Sequence, residues 1–319
     1  VNIQTDVPFS DSYIEPAIKK GVNFLYLKQR YWGEFSTYRC KQTYCYFDSS
    51  PFVTSFVLYS IRNIHHTKIK QMTRKGLSFL LSEKESGGIW RHWTSRNSKT
   101  IPPDLDNVAV ISFILKSNSY YLEDNQHILL NNRDKNGVFQ TWLRKDSKIR
   151  HNNVDCVVNA NVLLYLGDRA ETALACNYIN NAIEKNLDCS TYYPNRLVFY
   201  YTVSRAYANG ATCLNKSRTK VIQDTLGLMR ADGSFGNELN TALAINTLYN
   251  FDYNYGNIED SIKYLLKTQN SDGSWRYNVF FTDPAGFKYG SKELTTALAL
   301  EALQRYLYSA KQKSITIIN

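Results

Sequence analysis

Six stretches of the chain are apolar on nearly every side and almost free of charge: PFVTSFVLYSI from Pro51, DLDNVAVISFIL from Asp104, NNVDCVVNANVLLYL from Asn152, RLVFYYTVSRAYA from Arg196, ELNTALAINTL from Glu238 and ELTTALALEAL from Glu293. A helix that is hydrophobic all round belongs inside a protein. Between these stretches lie longer amphipathic segments with charges at helical spacing, such as Thr67 to Glu83 and Asn257 to Gln269. They suit an outer layer with one buried stripe. The alternation predicts inner and outer helices in turn along the chain.

A short signature closes one helix of nearly every unit, in the form Q-x3-G-x-W or a relative of it. The clearest copy is QNSDGSW, Gln269 to Trp275; weaker copies are QRYWGEF from Gln29, KESGGIW from Lys84, RDKNGVF from Arg133 and MRADGSF from Met229. The unit near residues 185 to 193 lacks it. A repeat of about 40 to 55 residues, one helix pair per unit, consumes the chain in six pairs. The expected fold class is all-α, an α6/α6 toroid of residues 1–319 as one domain, with inner helices around a central cavity.

Aligned by eye, the starts of the inner helices place Asp106 and Asp155 in one slot, where other units carry Thr54, Asn240 or Thr295. That slot lies in the first turn, where an acid is favoured by the helix dipole and can act as a cap alone. Asp155 and Asn159 share a face of the third inner helix, with Asn161 nearby. Buried amides need partners, so this face is expected to meet a wet cavity, a ligand or another helix. Arg205, on the fourth inner helix, needs a buried partner or an anionic ligand, and Asp155 or Glu238 could supply it.

Composition narrows the partners. The 319 residues carry a formal net charge of +10, which favours an anionic substrate or surface, although a lysine-rich solvated face explains it equally well. Arg91, His92, Trp93, Arg96 and Lys99, then Trp142, Arg144, Lys145, Lys148, Arg150 and His151, precede the second and third inner helices and are expected to form a basic, aromatic mouth. No run reaches the roughly 18 apolar residues of a membrane span, and no basic n-region with a cleavage site opens the chain. The six cysteines at positions 40, 45, 156, 176, 189 and 213 form no CxxC pair or zinc cluster, so a reducing compartment, the cytoplasm, is expected. Neither a P-loop nor GxGxxG is present, and nucleic acid is not an expected partner.

The repeated signature, the ELTTALALEAL helix and above all Pro102-Pro103-Asp104-Leu105-Asp106-Asn107 resemble the squalene-hopene cyclase and class II terpene cyclase superfamily. In that family a DxDD motif lies on an inner helix, and its middle Asp protonates an alkene or epoxide. The resemblance implies Asp106 as general acid with Asp104 beside it; Asn107 stands where the family has Asp. Such chemistry needs a carboxylic acid kept protonated by burial and by a neighbouring carboxylate. It also needs electron-rich walls, which 24 Tyr, 15 Phe and 5 Trp can supply, among them Tyr200 beside Phe199 and Tyr201.

The expected function is therefore acid-initiated cyclisation or isomerisation of an isoprenoid by Asp106, with Asp104 and Asp155 as catalytic partners. Asn107, Trp93, Arg91, Arg96, Arg150, His151, Asn159, Tyr200 and Arg205 are the expected substrate contacts. No cofactor and no metal is expected: the zinc set of the related prenyltransferases would need a His to join Asp155 and Cys156. The partner is a small-molecule isoprenoid or other anionic substrate; peripheral membrane contact, a homodimer or a partner domain closing the cavity are compatible with it. Two alternatives stay open. Asp106 and Asp155 on adjacent helices could stand at the roughly 6.5 to 9.5 Å of an inverting glycoside hydrolase, or the toroid could bind a lipid without catalysis.

Overall fold

The computed structural model describes residues 11–98, 100–122, 124–143, 152–253 and 258–318. The six apolar stretches form α2 (Pro51–Ile61), α4 (Leu105–Ser117), α6 (Cys156–Leu166), α8 (Arg196–Ala208), α10 (Glu238–Asn250) and α12 (Lys292–Ile318). The helices that alternate with them are α1 (Ile14–Lys28), α3 (Thr67–Ser82), α5 (Gln126–Leu130), α7 (Ala173–Glu184), α9 (Arg218–Leu226) and α11 (Ile258–Thr268). Each inner helix packs on the next, and α12 packs back on α2, so the six close into a ring. Outside it α1 lies on α12, α3 on α2, α7 on α6, and α11 on α10 and α12. One hydrophobic cluster fills the space between the layers. The chain folds as an all-α toroid, as the alternation predicts.

Two local devices recur and explain why the repeats fold alike. Every inner helix opens on a side-chain cap: Ser50, Asp104, Asp155, Asn195, Asn237 and Ser291 each accept a backbone N–H from the first turn. One turn into the helix, a second polar side chain holds the aromatic residue of the signature. Thr54 accepts from the Phe35 N–H at 2.9 Å, Asn159 from Phe139 at 3.0 Å, Thr241 from Phe235 at 3.0 Å and Thr296 from Trp275 at 3.1 Å. These four contacts tie the signature turns to the inner helices that follow them, α2, α6, α10 and α12. They satisfy backbone groups that would otherwise be buried without partners.

A small sheet departs from the all-helical expectation. Strands β1 (Tyr38–Lys41), β2 (Tyr44–Phe47), β3 (Val279–Thr282) and β4 (Lys288–Gly290) pair antiparallel in the order β2-β1-β4-β3. β1 and β2 precede α2, and β3 and β4 precede α12, so the β1–β4 pairing bridges the seam where the ring closes. Strands of three or four residues carry too little alternation to be read from sequence.

The cysteines also correct the sequence reading. All six are paired, as Cys40–Cys45, Cys156–Cys189 and Cys176–Cys213. This is the arrangement of an oxidising setting and runs against the reducing compartment expected above. The partners lie 5, 33 and 37 residues apart, and only folding brings the distant pairs together. No helix among the described residues is long and apolar enough to cross a membrane.

The signature glycine has a strict role. Gly273 sits at φ +88°, and a Cβ there would lie 2.3 Å from the Lys20 carbonyl oxygen of α1. Gly33 meets the Lys75 carbonyl of α3 in the same way. Gly273→Ala is therefore expected to cost about 1–3 kcal/mol from backbone strain, before any displacement of α1. Urea unfolding measures it; a change below about 0.5 kcal/mol would mean that the turn does not lock the two outer helices together.

Candidate active site at the mouth of the ring

The start of α4 is shaped by its surroundings. Pro102 and Pro103 hold the preceding segment extended. Leu143 N–H donates to the Pro103 carbonyl at 2.9 Å and Leu105 N–H to the Thr141 carbonyl at 2.8 Å. Asp104 then caps the helix, accepting from the Asn107 N–H at 2.8 Å, and the Asn107 side-chain amide donates to both Asp104 oxygens at 3.0 and 2.9 Å. An Asp at position 107 would face Asp104 with a like charge; the amide instead gives it two more hydrogen bonds.

Asp106 sits two residues inside the cap and points to the ring's interior, 6% exposed. Its Oδ1 accepts from Asn161 Nδ2 of α6 at 2.5 Å, and its Oδ2 accepts from the Tyr193 hydroxyl. Asn161 in turn accepts from Arg205 Nη2 at 2.5 Å. The Arg205 guanidinium is fully buried over the rings of Phe56, Tyr59 and Tyr201, at 4.1, 5.2 and 5.4 Å from their centroids. Arg205 thus meets Asn161 rather than Asp155 or Glu238; Glu238 pairs with Arg276 at 2.7 Å. Positive charge reaches Asp106 through one amide.

Burial dominates the titration of both acids. Loss of solvent, reinforced by repulsion from Asp106, pushes Asp104 up to about 7. Asp106 is raised to about 6 by loss of solvent, against the hydrogen bonds from Tyr193 and Asn161 that favour its ionised form.

A cavity of about 380 Å³ opens beside them. Asp104, Asp106 and Asn107 line one side, and Phe52, His92, Trp93, Trp142, Tyr193, Phe281 and Tyr289 supply aromatic walls. The β3–β4 hairpin covers it, with Phe281 stacked on Tyr289 at 4.6 Å and set edge-on to Phe52 at 5.5 Å.

Several expected site residues lie elsewhere. Asp155 does not share Asp106's slot: counted from the clamping residues Thr54, Asn159 and Thr241, it is the cap and corresponds to Asp104. Its oxygens accept from Val157 N–H, Val158 N–H, the Ser190 hydroxyl and the Thr191 N–H at 2.7 to 3.3 Å, which leaves no oxygen for chemistry in the cavity. The two-carboxylate hydrolase arrangement loses its base with it. Asn159 clamps Phe139, and Tyr200 donates to Asp224 of α9 at 2.6 Å, on the outer side. Arg91 pairs with Glu85 and Arg96 with Glu83, each at 2.5 Å, so neither presents an unpaired cation. Lys99, Arg144, Lys145, Lys148, Arg150 and His151 lie outside the described residues.

Sequence reasoning missed Tyr193, Phe281 and Tyr289 as site residues. Tyr193 comes from a loop, and Phe281 and Tyr289 from the short strands β3 and β4, all without a motif and 87 to 183 positions from Asp106 by simple difference of residue numbers. Only Ser190 and Cys189 nearby hint that this loop is pinned, to Asp155 and Cys156 respectively.

Both site carboxyls sit above the ordinary value of 3.8, so the folded chain keeps protons that the unfolded chain releases. Stability from this source is full below about pH 4 and falls as pH rises through about 6 to 7. The urea midpoint should drop across that window, and the drop should be smaller in the Asp104→Asn, Asp106→Asn protein. Equal slopes in the two proteins would contradict the shifts.

No family model matches the chain, and no curated protein matches it in sequence. Solved structures do. A protein from Actinoplanes is 18% identical with a TM-score of 0.76, covering 92% of this chain and 99% of its own. The type II terpene cyclase MstE from Scytonema is 13% identical over 94% of this chain and 99% of its own, with TM-scores of 0.75 without ligand and 0.71 for a point variant in complex with the substrate geranylgeranyl dihydroxybenzoate. In ent-copalyl diphosphate synthase from Streptomyces platensis the similarity spans 80% of this chain and 50% of that one, at 16% identity and a TM-score of 0.63. At these identities the comparison speaks for fold, and the chain has the α/α-toroid fold of the class II terpene cyclases.

Proposed function

We propose that the chain, as one toroid domain over residues 1–319, is an isoprenoid cyclase or isomerase of the class II type, with Asp106 as the proton donor. The observation that carries this reading is the placement of Asp106: buried, raised towards a protonated state, and on the wall of an aromatic cavity. Burial raises the share of the acid that holds its proton before reaction. Once the proton passes to an alkene carbon, the Tyr193 hydroxyl and the Asn161 amide, backed by Arg205, stand ready to hold the new carboxylate. Donors that strengthen as charge develops lower the barrier without stabilising the ground state equally. The rings of Phe52, Trp93, Trp142 and Phe281 on the cavity wall supply electron-rich groups for the carbocation.

Asp104 has a different task in this reading. Its hydrogen bonds from Asn107 fix the helix start, and its proximity keeps a proton on the pair. Asn107 stands as a donor where the cyclase motif has its third carboxylate, which leaves two acids rather than three in that motif.

Asp106→Asn should abolish conversion of a polyprenyl substrate, by at least about 10²-fold, and leave helicity and unfolding midpoint near wild type, because the amide keeps the shape but has no proton to give an alkene. Full turnover by this protein, followed by product chromatography, would remove Asp106 as the acid. Tyr193→Phe tests the tuning. Wild-type turnover should fall as pH rises past about 6, where Asp106 ionises. Loss of the Tyr193 hydrogen bond, which favours the ionised acid, should move that falling limb to higher pH and reduce the maximum rate. A limb that stays in place or moves to lower pH would mean that Tyr193 does not act on Asp106.

A further inference from the structure

Two buried polar atoms on residues lining the cavity have no partner among the described residues: His92 Nε2 and Asn107 Oδ1. The Ser50 hydroxyl oxygen accepts the Phe52 N–H at 3.3 Å and lies 3.4 Å from His92 Nδ1. A Ser50 hydroxyl that donates to Nδ1 leaves the proton of the neutral ring on Nε2, and this is the tautomer the proposal below takes. Burial pushes His92 down to about 4, so the ring is uncharged near neutral pH. Asn107 must turn its NH₂ to the Asp104 carboxyl, which leaves Oδ1 as an acceptor on the opposite side. With Nε2 protonated, two residues that line the cavity carry one unused donor and one unused acceptor, each buried.

The charges around these atoms select the kind of ligand group. Asp104, Asp106 and Asp283 line the same cavity, and none of its described lining residues is a lysine or arginine. A diphosphate here would meet three acids and a neutral imidazole. A hydroxyl carries both functions that the orphaned atoms lack, adds no charge, and suits walls that are otherwise aromatic. Leaving such buried groups unpaired disfavours a plain hydrocarbon.

We propose that the cavity is a site for an isoprenoid bearing an uncharged hydroxyl, which accepts a hydrogen bond from His92 Nε2–H and finds its acceptor on the Asn107 side. This rests on the isoprenoid reading of the cavity and deepens it by naming the polar group. His92 is a specificity-determining residue, separate from the acid.

The test uses the intact chain and tryptophan quenching, since Trp93 and Trp142 line the cavity. Three C20 probes are compared: geranylgeraniol, geranylgeranyl diphosphate and the corresponding unoxygenated polyene. The alcohol should bind most tightly. His92→Phe should weaken the alcohol about tenfold, the scale of one buried hydrogen bond, and the polyene by less than about twofold. His92→Gln, which keeps an amide donor, should recover part of the loss and guards against a Phe variant that misfolds. In ¹⁵N spectra the wild-type ring should show the Nε2–H tautomer, with its resonance moving on addition of alcohol. Tighter binding of the diphosphate, or equal weakening of alcohol and polyene by His92→Phe, would overturn the subsite. These outcomes are separable from the acid's role: Asp106→Asn should retain alcohol affinity while losing turnover. His92-dependent alcohol binding by a wild-type chain that converts no polyprenyl compound would keep the subsite and reject the cyclase. Binding of none of the probes would reject both.

Discussion

Six helices with no polar face have to be covered on every side, and this requirement organises the molecule. A single inner helix cannot satisfy it, nor can a pair; a closed ring with a second ring outside does. In the toroid each inner helix meets two inner neighbours, and α2, α6, α8, α10 and α12 also have outer helices packed behind them. The same burial makes any polar side chain on an inner helix expensive unless it is bonded. Most are: Thr54, Asn159, Thr241 and Thr296 hold signature backbone groups, and Thr247 bonds within its own helix. Asp106, Asn161 and Arg205 differ in bonding mainly to one another, across α4, α6 and α8. They form a polar chain through the wall of an otherwise apolar ring.

The acid depends on loops as much as on its own helix. Cys189, Ser190, Thr191 and Tyr193 form one short run that is fixed to the start of α6 by the Cys156–Cys189 bond and by the Asp155 carboxylate. Tyr193 is thereby delivered to Asp106. The same loop meets the covering hairpin, where the Thr282 N–H donates to the Tyr192 carbonyl at 2.8 Å. One connected set of contacts therefore runs from the cap of α6, through the hydroxyl that touches the acid, to the cover of the cavity. Asp155 matters to the site as a support, although it takes no part in the cavity itself.

Electrostatics and hydrophobicity work together at the mouth. Aromatic walls exclude water, which raises Asp104 and Asp106, lowers His92, and leaves all three closer to neutral than they would be in solvent. The arginines that the sequence places near this opening are partly spent: Arg91 and Arg96 neutralise Glu85 and Glu83 outside the cavity. The net positive charge of the chain accordingly says little about the cavity itself, whose described lining carries acids.

The fold class was legible because burial leaves a periodic record. Apolar-all-round stretches, charged amphipathic stretches and a repeated glycine-aromatic turn fixed the number, order and layer of the helices, and Asp104-Leu105-Asp106 marked the place to look. Register was less secure. Asp106 and Asp155 looked equivalent in a string of letters, but caps and clamps show that Asp155 matches Asp104, since hydrogen-bond geometry counts residues in three dimensions. What only the tertiary structure decided were relations between distant segments: Arg205 to Asn161, Tyr193 to Asp106, the β1–β4 pairing and the distant cysteine pairs. Each joins segments 33 or more residues apart, with no periodicity of its own, and the packing of the two rings brings the partners together.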